Sequence, residues 1–120
     1  MIFIVDDDVS IRRAYKNLLH SNDLECKSFE TADEFLAHTK LNTTDVIILD
    51  IKMPGMSGIE LLKEIEAMGT KVKIIIVSAF IDSNIRQRAS DHGVIAVLRK
   101  PVDGEALIDL IKYNKRIETV

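Results

Sequence analysis

The chain has one cysteine, Cys26, so no disulfide can close within it, and a lone thiol suits a reducing compartment. Taken alone, Cys26 reads as a small buried apolar residue. No run of Lys or Arg lays a basic stripe, and net charge is −3, which argues against direct nucleic-acid binding by this segment. The first apolar run, Ile2-Phe3-Ile4-Val5, is short and stops at three acids, so it reads neither as a signal peptide nor as a membrane span. Gly/Ser or Pro-rich linkers, low-complexity tracts and internal repeats are also missing. With 120 residues, 47% apolar and 29% charged, the expectation is a single domain over 1–120 with one core, located in the cytoplasm.

Short apolar runs alternate with amphipathic stretches five times, the pattern of a βα-repeated parallel sheet. The first, third, fourth and fifth runs (Ile2–Val5, Val46–Leu49, Ile74–Val77 and Val94–Leu98) are nearly all β-branched or Leu, as in strands buried on both faces. The second, Leu24 to Phe29, alternates apolar and polar residues and suits a half-exposed edge strand. Thr31 with Glu34 and Ser57 with Glu60 have the spacing of capping boxes, and Asp103 suits the cap of the last helix. Ile11, Ala14 and Leu18 share a helix face, as do Leu61, Ile65 and Met68, and Leu107, Leu110 and Ile111. Ser83 to His92 offers only Ile85 and Ala89 as an apolar stripe, so a helix there would be weakly held and able to move.

Polar groups collect where the apolar runs end. Asp6, Asp7 and Asp8 follow the first run, Asp50 the third, Ser78 the fourth, and Arg99-Lys100-Pro101 the fifth. In a parallel sheet all these ends lie on one edge, where open α/β sheets bind ligands. Three adjacent carboxylates repel one another, and a cation such as Mg²⁺ would relieve that cost; alone, the triplet is equally a solvated turn with one acid capping the next helix. Asp50 leads into Lys52-Met53-Pro54-Gly55 and Ser57-Gly58, a loop whose glycines permit tight turns and close backbone approach. Near a metal such a carboxylate can act as a nucleophile and become an aspartyl phosphate. Ser78 alone is a strand-end hydroxyl and Lys100 a solvated lysine before a turn; beside a phosphoryl oxygen both become donors. A cis Lys100–Pro101 bond would aim the lysine back at the sheet edge. His20, His38 and His92 form no ligand pair and receive no role.

Together, "FIVDDDVSIRR", "IILDIKMPGMSGIELL", "VSAF" and "LRKPVD" resemble, in order and spacing, the receiver domain of two-component response regulators over essentially the whole chain. The resemblance implies a flavodoxin-like (βα)5 fold, a doubly wound parallel sheet of order 2-1-3-4-5. It implies that Asp50 accepts a phosphoryl group from a sensor histidine kinase or phosphotransfer protein. Asp7, Asp50 and the backbone carbonyl of Lys52 would hold Mg²⁺, with Asp6 assisting through water, and Ser78 and Lys100 would contact phosphoryl oxygens. Such a protein catalyses its own phosphorylation and dephosphorylation without turning over an external substrate. Its output would pass through the fourth helix and fifth strand to a second copy or an output domain. The sequence around Asp50 looks like receivers that often precede a helix-turn-helix output domain. One departure stands out: many receivers carry Tyr or Phe three residues before the Lys-Pro lysine, where this chain has Val97.

Two other readings compete. A pseudo-receiver would keep the fold as an interaction module without phosphorylation. A haloacid-dehalogenase-like phosphatase would use Asp6 as nucleophile and Asp8 as acid/base, but it lacks the acidic metal cluster after a late strand and leaves Asp50 unexplained.

Overall fold

The computed structural model describes the backbone of residues 1–38 and 40–118 and the side chains of 1–37 and 40–114; the His38 side chain therefore lies outside the described residues. Strands and helices alternate: β1 (Ile2–Val5), α1 (Val9–Ser21), β2 (Cys26–Phe29), α2 (Ala32–His38), β3 (Val46–Leu49), α3 (Gly58–Ala67), β4 (Lys73–Ser78), α4 (Ser83–Asp91), β5 (Ala96–Arg99) and α5 (Gly104–Glu118). All four strand pairs are parallel, in the order β2-β1-β3-β4-β5. This is the flavodoxin-like order that the family resemblance implies. The order reverses between β1 and β3, so the crevice at their carboxyl ends is the switch point of the sheet.

β1, β3 and the Ile74–Val77 body of β4 are apolar because the sheet is covered on both faces there. The fifth run, expected to be buried on both faces over 94–98, forms β5 only over Ala96–Arg99 and is half-buried to exposed, because it is the edge of the sheet. Phe3, Val5, Ile47, Leu49, Ile74 and Ile76 point into one layer with Phe29, Phe35, Leu61, Leu62 and Ile65. Ile2, Ile4, Val46, Ile48, Ile75 and Val77 point into the other with Tyr15, Leu19, Leu107, Ile108 and Ile111. Helices α2, α3 and α4 thus cover one face and α1 and α5 the other. The rings of Phe3, Phe29 and Phe35 meet with centroids 5.4 to 6.2 Å apart, anchoring α2 to β1 and β2.

Several local expectations shift. In α1 the buried residues are Tyr15 and Leu19; Ala14 is exposed, while Ile11 and Leu18 are half-buried, because the larger apolar bodies one position on take the core-facing stripe. Met68 is the C-cap of α3 and is exposed, whereas Leu62 takes a buried place beside Leu61 and Ile65. β2 starts at Cys26 and not at Leu24, since residues 22–24 fold back on the end of α1, with the Leu24 N–H on the Leu19 carbonyl. Cys26 is half-buried on that edge, and burial pushes its thiol up from the ordinary value.

The caps form at the expected residues. Thr31 Oγ1 accepts from the Glu34 N–H and Ser57 Oγ from the Glu60 N–H, and the Ser57 hydroxyl donates to the Glu60 carboxylate. Asp103 Oδ1 accepts from the Glu105 N–H. Helix α4 buries only Ala89 and half-buries Ile85, as its thin stripe predicts.

Candidate functional site at the β1–β3 switch point

Register places the acids. Val5 pairs with Leu49, and the next residue on each strand is Asp6 and Asp50. The strands continue to grip there: the Asp50 N–H donates to the Val5 carbonyl at 3.0 Å and the Asp6 N–H to the Phe29 carbonyl at 3.1 Å. Both carboxylates are buried, Asp6 at 2% exposure and Asp50 at 7%, while Asp7 is exposed. Carboxylate oxygens of Asp6, Asp7 and Asp50 all lie within 4.8 Å of one another.

Lys100 enters from the end of β5. Its N–H donates to the Ser78 carbonyl, the Lys100–Pro101 bond is cis, and its ammonium donates to Asp6 Oδ2 at 2.8 Å and Asp50 Oδ2 at 3.3 Å. Two carboxylates share one ammonium, so one negative charge stays uncompensated in a buried place. Burial, with the nearby Asp6 charge adding to it, holds the Asp50 carboxyl above its ordinary value despite Lys100. Burial pulls the Lys100 ammonium down, but the hydrogen bond to Asp6 and the charges of Asp6 and Asp50 outweigh it and hold it above its ordinary value.

Asp8 stands apart from this cluster. Its Oδ1 caps α1, accepting from the Ser10 N–H at 2.8 Å, the Ser10 hydroxyl at 2.6 Å and the Ile11 N–H at 3.4 Å, and those bonds hold its carboxyl below the ordinary range. A carboxylate so occupied, with a low affinity for protons, is a poor general acid, which counts against the phosphatase reading.

The loop after β3 is built by close approach. A Cβ on Gly58 would fall 2.5 Å from the Asp50 carbonyl oxygen and 2.7 Å from Ile51 Cα, so only glycine lets the start of α3 press against the end of β3. Gly55 turns the same loop at φ +76. The Lys52 N–H lies 3.4 Å from Asp50 Oδ1.

Ser78 is buried at the end of β4, and its Oγ accepts from the Phe80 N–H at 3.3 Å. It thus stands on the same edge with its hydroxyl engaged by its own loop. Three contacts escaped the sequence. Arg12 donates to the Asp6 carbonyl at 2.8 Å, the Lys52 ammonium lies 4.0 Å from the centroid of the Phe80 ring, and His92 bonds Glu66 across the ends of α4 and α3. Arg12, six residues after Asp6 on the first turn of α1, is near enough in sequence for its position to have been the signal for the first; the others join residues far apart in sequence with no local pattern.

The donors fit a hard divalent cation. They are oxygen-only, closely spaced and negatively charged beyond what Lys100 balances. Among the described residues no helix is long and apolar enough to cross a membrane.

Comparison with known proteins agrees with this geometry. The model of the response regulator receiver domain matches residues 2–112. Nodulation protein W of Bradyrhizobium diazoefficiens is 32% identical over 92% of this chain and 49% of its own length. The DNA-binding transcriptional regulator NtrC of Salmonella typhimurium is 36% identical over 93% of this chain and 24% of its own. The chain therefore spans about a quarter to a half of these curated relatives. Among solved structures, response regulator StyR superposes with TM-score 0.88 at 37% identity, covering 97% of this chain and 59% of that one. A CheY-like receiver domain protein from Methanospirillum hungatei superposes with TM-score 0.88 at 30% identity, covering 98% and 94%. A parallel sheet of this order, with acids at its switch point and a lysine spanning two of them, belongs to the response regulator receiver domain family of two-component signal transduction, and this chain is a member.

Proposed function

We propose that this domain is switched by phosphorylation of Asp50 by a sensor histidine kinase or a phosphotransfer protein, with Mg²⁺ as cofactor. The observation that carries the reading is the Lys100 ammonium spanning Asp6 and Asp50 beside the exposed Asp7. An Asp50 oxygen attacks the phosphorus of a phosphohistidine. A P–O bond forms, the P–N bond breaks, and the imidazole leaves with the electron pair. Lys100 is already within reach of the oxygens that gain charge, and Ser78 needs only to turn its hydroxyl proton outward. Asp7, Asp50 and the Lys52 carbonyl are the ligands assigned to the cation, with Asp6 behind them through water. Mg²⁺ held there would offset the charge that the phosphoryl group brings.

Positioning and electrostatics account for nearly all catalysis of this kind, which is why a site so small suffices. Output to a second copy or an output domain would use α4 and β5, the least buried helix and strand of the β4-to-α5 half. Intact mass after acetyl phosphate with Mg²⁺ tests the assignment: one labile phosphoryl adduct is expected, absent without the cation and absent in Asp50→Asn. Undiminished labelling of Asp50→Asn would remove Asp50 from the role.

A further inference from the structure

Lys52 joins the site through its backbone, yet its side chain makes a contact of its own. The Lys52 ammonium lies 4.0 Å from the centroid of the Phe80 ring, and Phe80 is 60% exposed. Lys52 stands two residues beyond Asp50, and Phe80 two beyond Ser78. Their contact therefore bridges the β3–α3 and β4–α4 loops at the carboxyl edge of the sheet. The loop carrying Phe80 is held from behind: Arg99 donates to the Ala79 carbonyl at 3.4 Å and to the Ile81 carbonyl at 3.2 Å. Its own N–H is on Ser78 Oγ.

We infer that the Lys52 ammonium is a second phosphoryl-binding cation of this site, resting on the Phe80 ring while Asp50 is unmodified and drawn off the ring when Asp50 carries a phosphoryl group. The inference rests on Asp50 as phosphoacceptor. Lys100 is already shared between two carboxylates, whereas Lys52 has no carboxylate partner among the described residues. An ammonium over an exposed ring is weakly held. A phosphoryl group carries a charge of about −1.5 to −2 and accepts stronger, charge-assisted hydrogen bonds. The Lys52 N–H lies 3.4 Å from Asp50 Oδ1, so the lysine side chain starts beside the carboxylate that would carry the phosphoryl group. The trade of ring for phosphoryl oxygen uncovers Phe80. Position 97 holds Val, so in this inference the aromatic that responds to Asp50 is the exposed Phe80.

The chain has no tryptophan, so Phe80→Trp places a single indole at this contact. Its emission is followed while beryllofluoride, with Mg²⁺, is titrated into Phe80→Trp alone and combined with Lys52→Gln or Lys52→Arg. Acetyl phosphate adducts on the same proteins are measured by intact mass. A saturable emission change is expected for Phe80→Trp and is kept with Lys52→Arg. With Lys52→Gln the starting emission should already match the saturated state, and half-saturation should need about two- to fivefold more beryllofluoride. An adduct accompanied by an unchanging signal, or by the same change with Lys52→Gln, overturns the role of Lys52 and leaves Asp50 in place. Absence of any adduct overturns both.

Discussion

Asp6 and Asp50 stand side by side, one residue beyond the paired Val5 and Leu49, and lean on the same ammonium. Neither acid has a cation to itself, and both are buried. The unmodified site therefore holds surplus negative charge, a cost to folding that favours arrival of a cation. Structural strain of this electrostatic kind is expected where chemistry is done.

Removing one of the two charges should stabilise the fold. Burial, with the Asp6 charge beside it, holds the Asp50 carboxyl of the folded protein above its ordinary 3.8. The folded protein then holds that proton more tightly than the unfolded chain does, so stability falls as pH rises from 3.8 through the raised value. Asp50→Asn should raise Tm at pH 7 by a few degrees, on the order of 1 kcal/mol, and the gain should vanish below about pH 4. Thermal melts of both proteins across that range are the check; a gain that grows in acid would reverse the sign.

Lys100→Met should act in the opposite direction. It leaves Asp6 and Asp50 buried without their ammonium, at a cost of about 2–3 kcal/mol, below that of a fully enclosed pair because the lysine side chain is 17% exposed. The loss should shrink when Asp50→Asn is added, since one fewer charge is stranded. Urea unfolding of the four proteins of that cycle gives the coupling directly.

Mg²⁺ affinity should separate the three adjacent acids. Asp6 is committed to Lys100 and to the Asp8 N–H, Asp8 is committed to its helix cap, and Asp7 is exposed with no partner among the described residues. Asp7→Asn should weaken Mg²⁺ about tenfold or more, Asp6→Asn less, and Asp8→Asn hardly at all. Calorimetric titration ranks them, and Asp8→Asn as the weakest binder would displace the site by one residue.

Gly58→Ala should damage both stability and labelling. The two closest atoms that the added methyl meets are backbone, with Ile51 Cδ1 behind them at 3.1 Å, and the nearest is the carbonyl oxygen of Asp50 itself. A loss of about 2–4 kcal/mol is expected, with slower acetyl phosphate labelling at a temperature where the variant is still folded. Normal labelling in a destabilised variant would mean that α3 yields and Asp50 does not.

Tyr15 gives an alkaline signature. Burial, countered in part by Lys100, pushes its phenol from 10.0 up to about 12. Because the folded value is raised, the stability it contributes is complete below pH 10 and is lost as pH climbs toward 12. Tyrosinate absorbance should show a step near 12 that Tyr15→Phe removes, and that variant should lose less stability across the same interval.

The sheet and its polar edge were legible in the chain because their causes are local. Three runs of β-branched residues and Leu, Ile2–Val5, Val46–Leu49 and Ile74–Val77, are strands covered on both faces, and each stops just before a polar residue of the edge. The fifth run has the same composition yet forms a half-buried edge strand, because its place in the sheet is not written in its pattern. Thr31, Ser57 and Asp103 cap helices through bonds that span three residues or fewer, so their spacing is enough. Family likeness, and not residue pattern, supplied the strand order. Tertiary structure alone decided that Tyr15 and Leu19, in place of Ala14, face the sheet, since which side of a helix is inward depends on the neighbour it meets. It also decided that Lys100 bonds Asp6 more closely than Asp50, and that Lys52 rests on Phe80. Those pairs lie 94, 50 and 28 residues apart, at separations where no periodicity operates; packing of β5 and of two loops against one sheet edge brings them together.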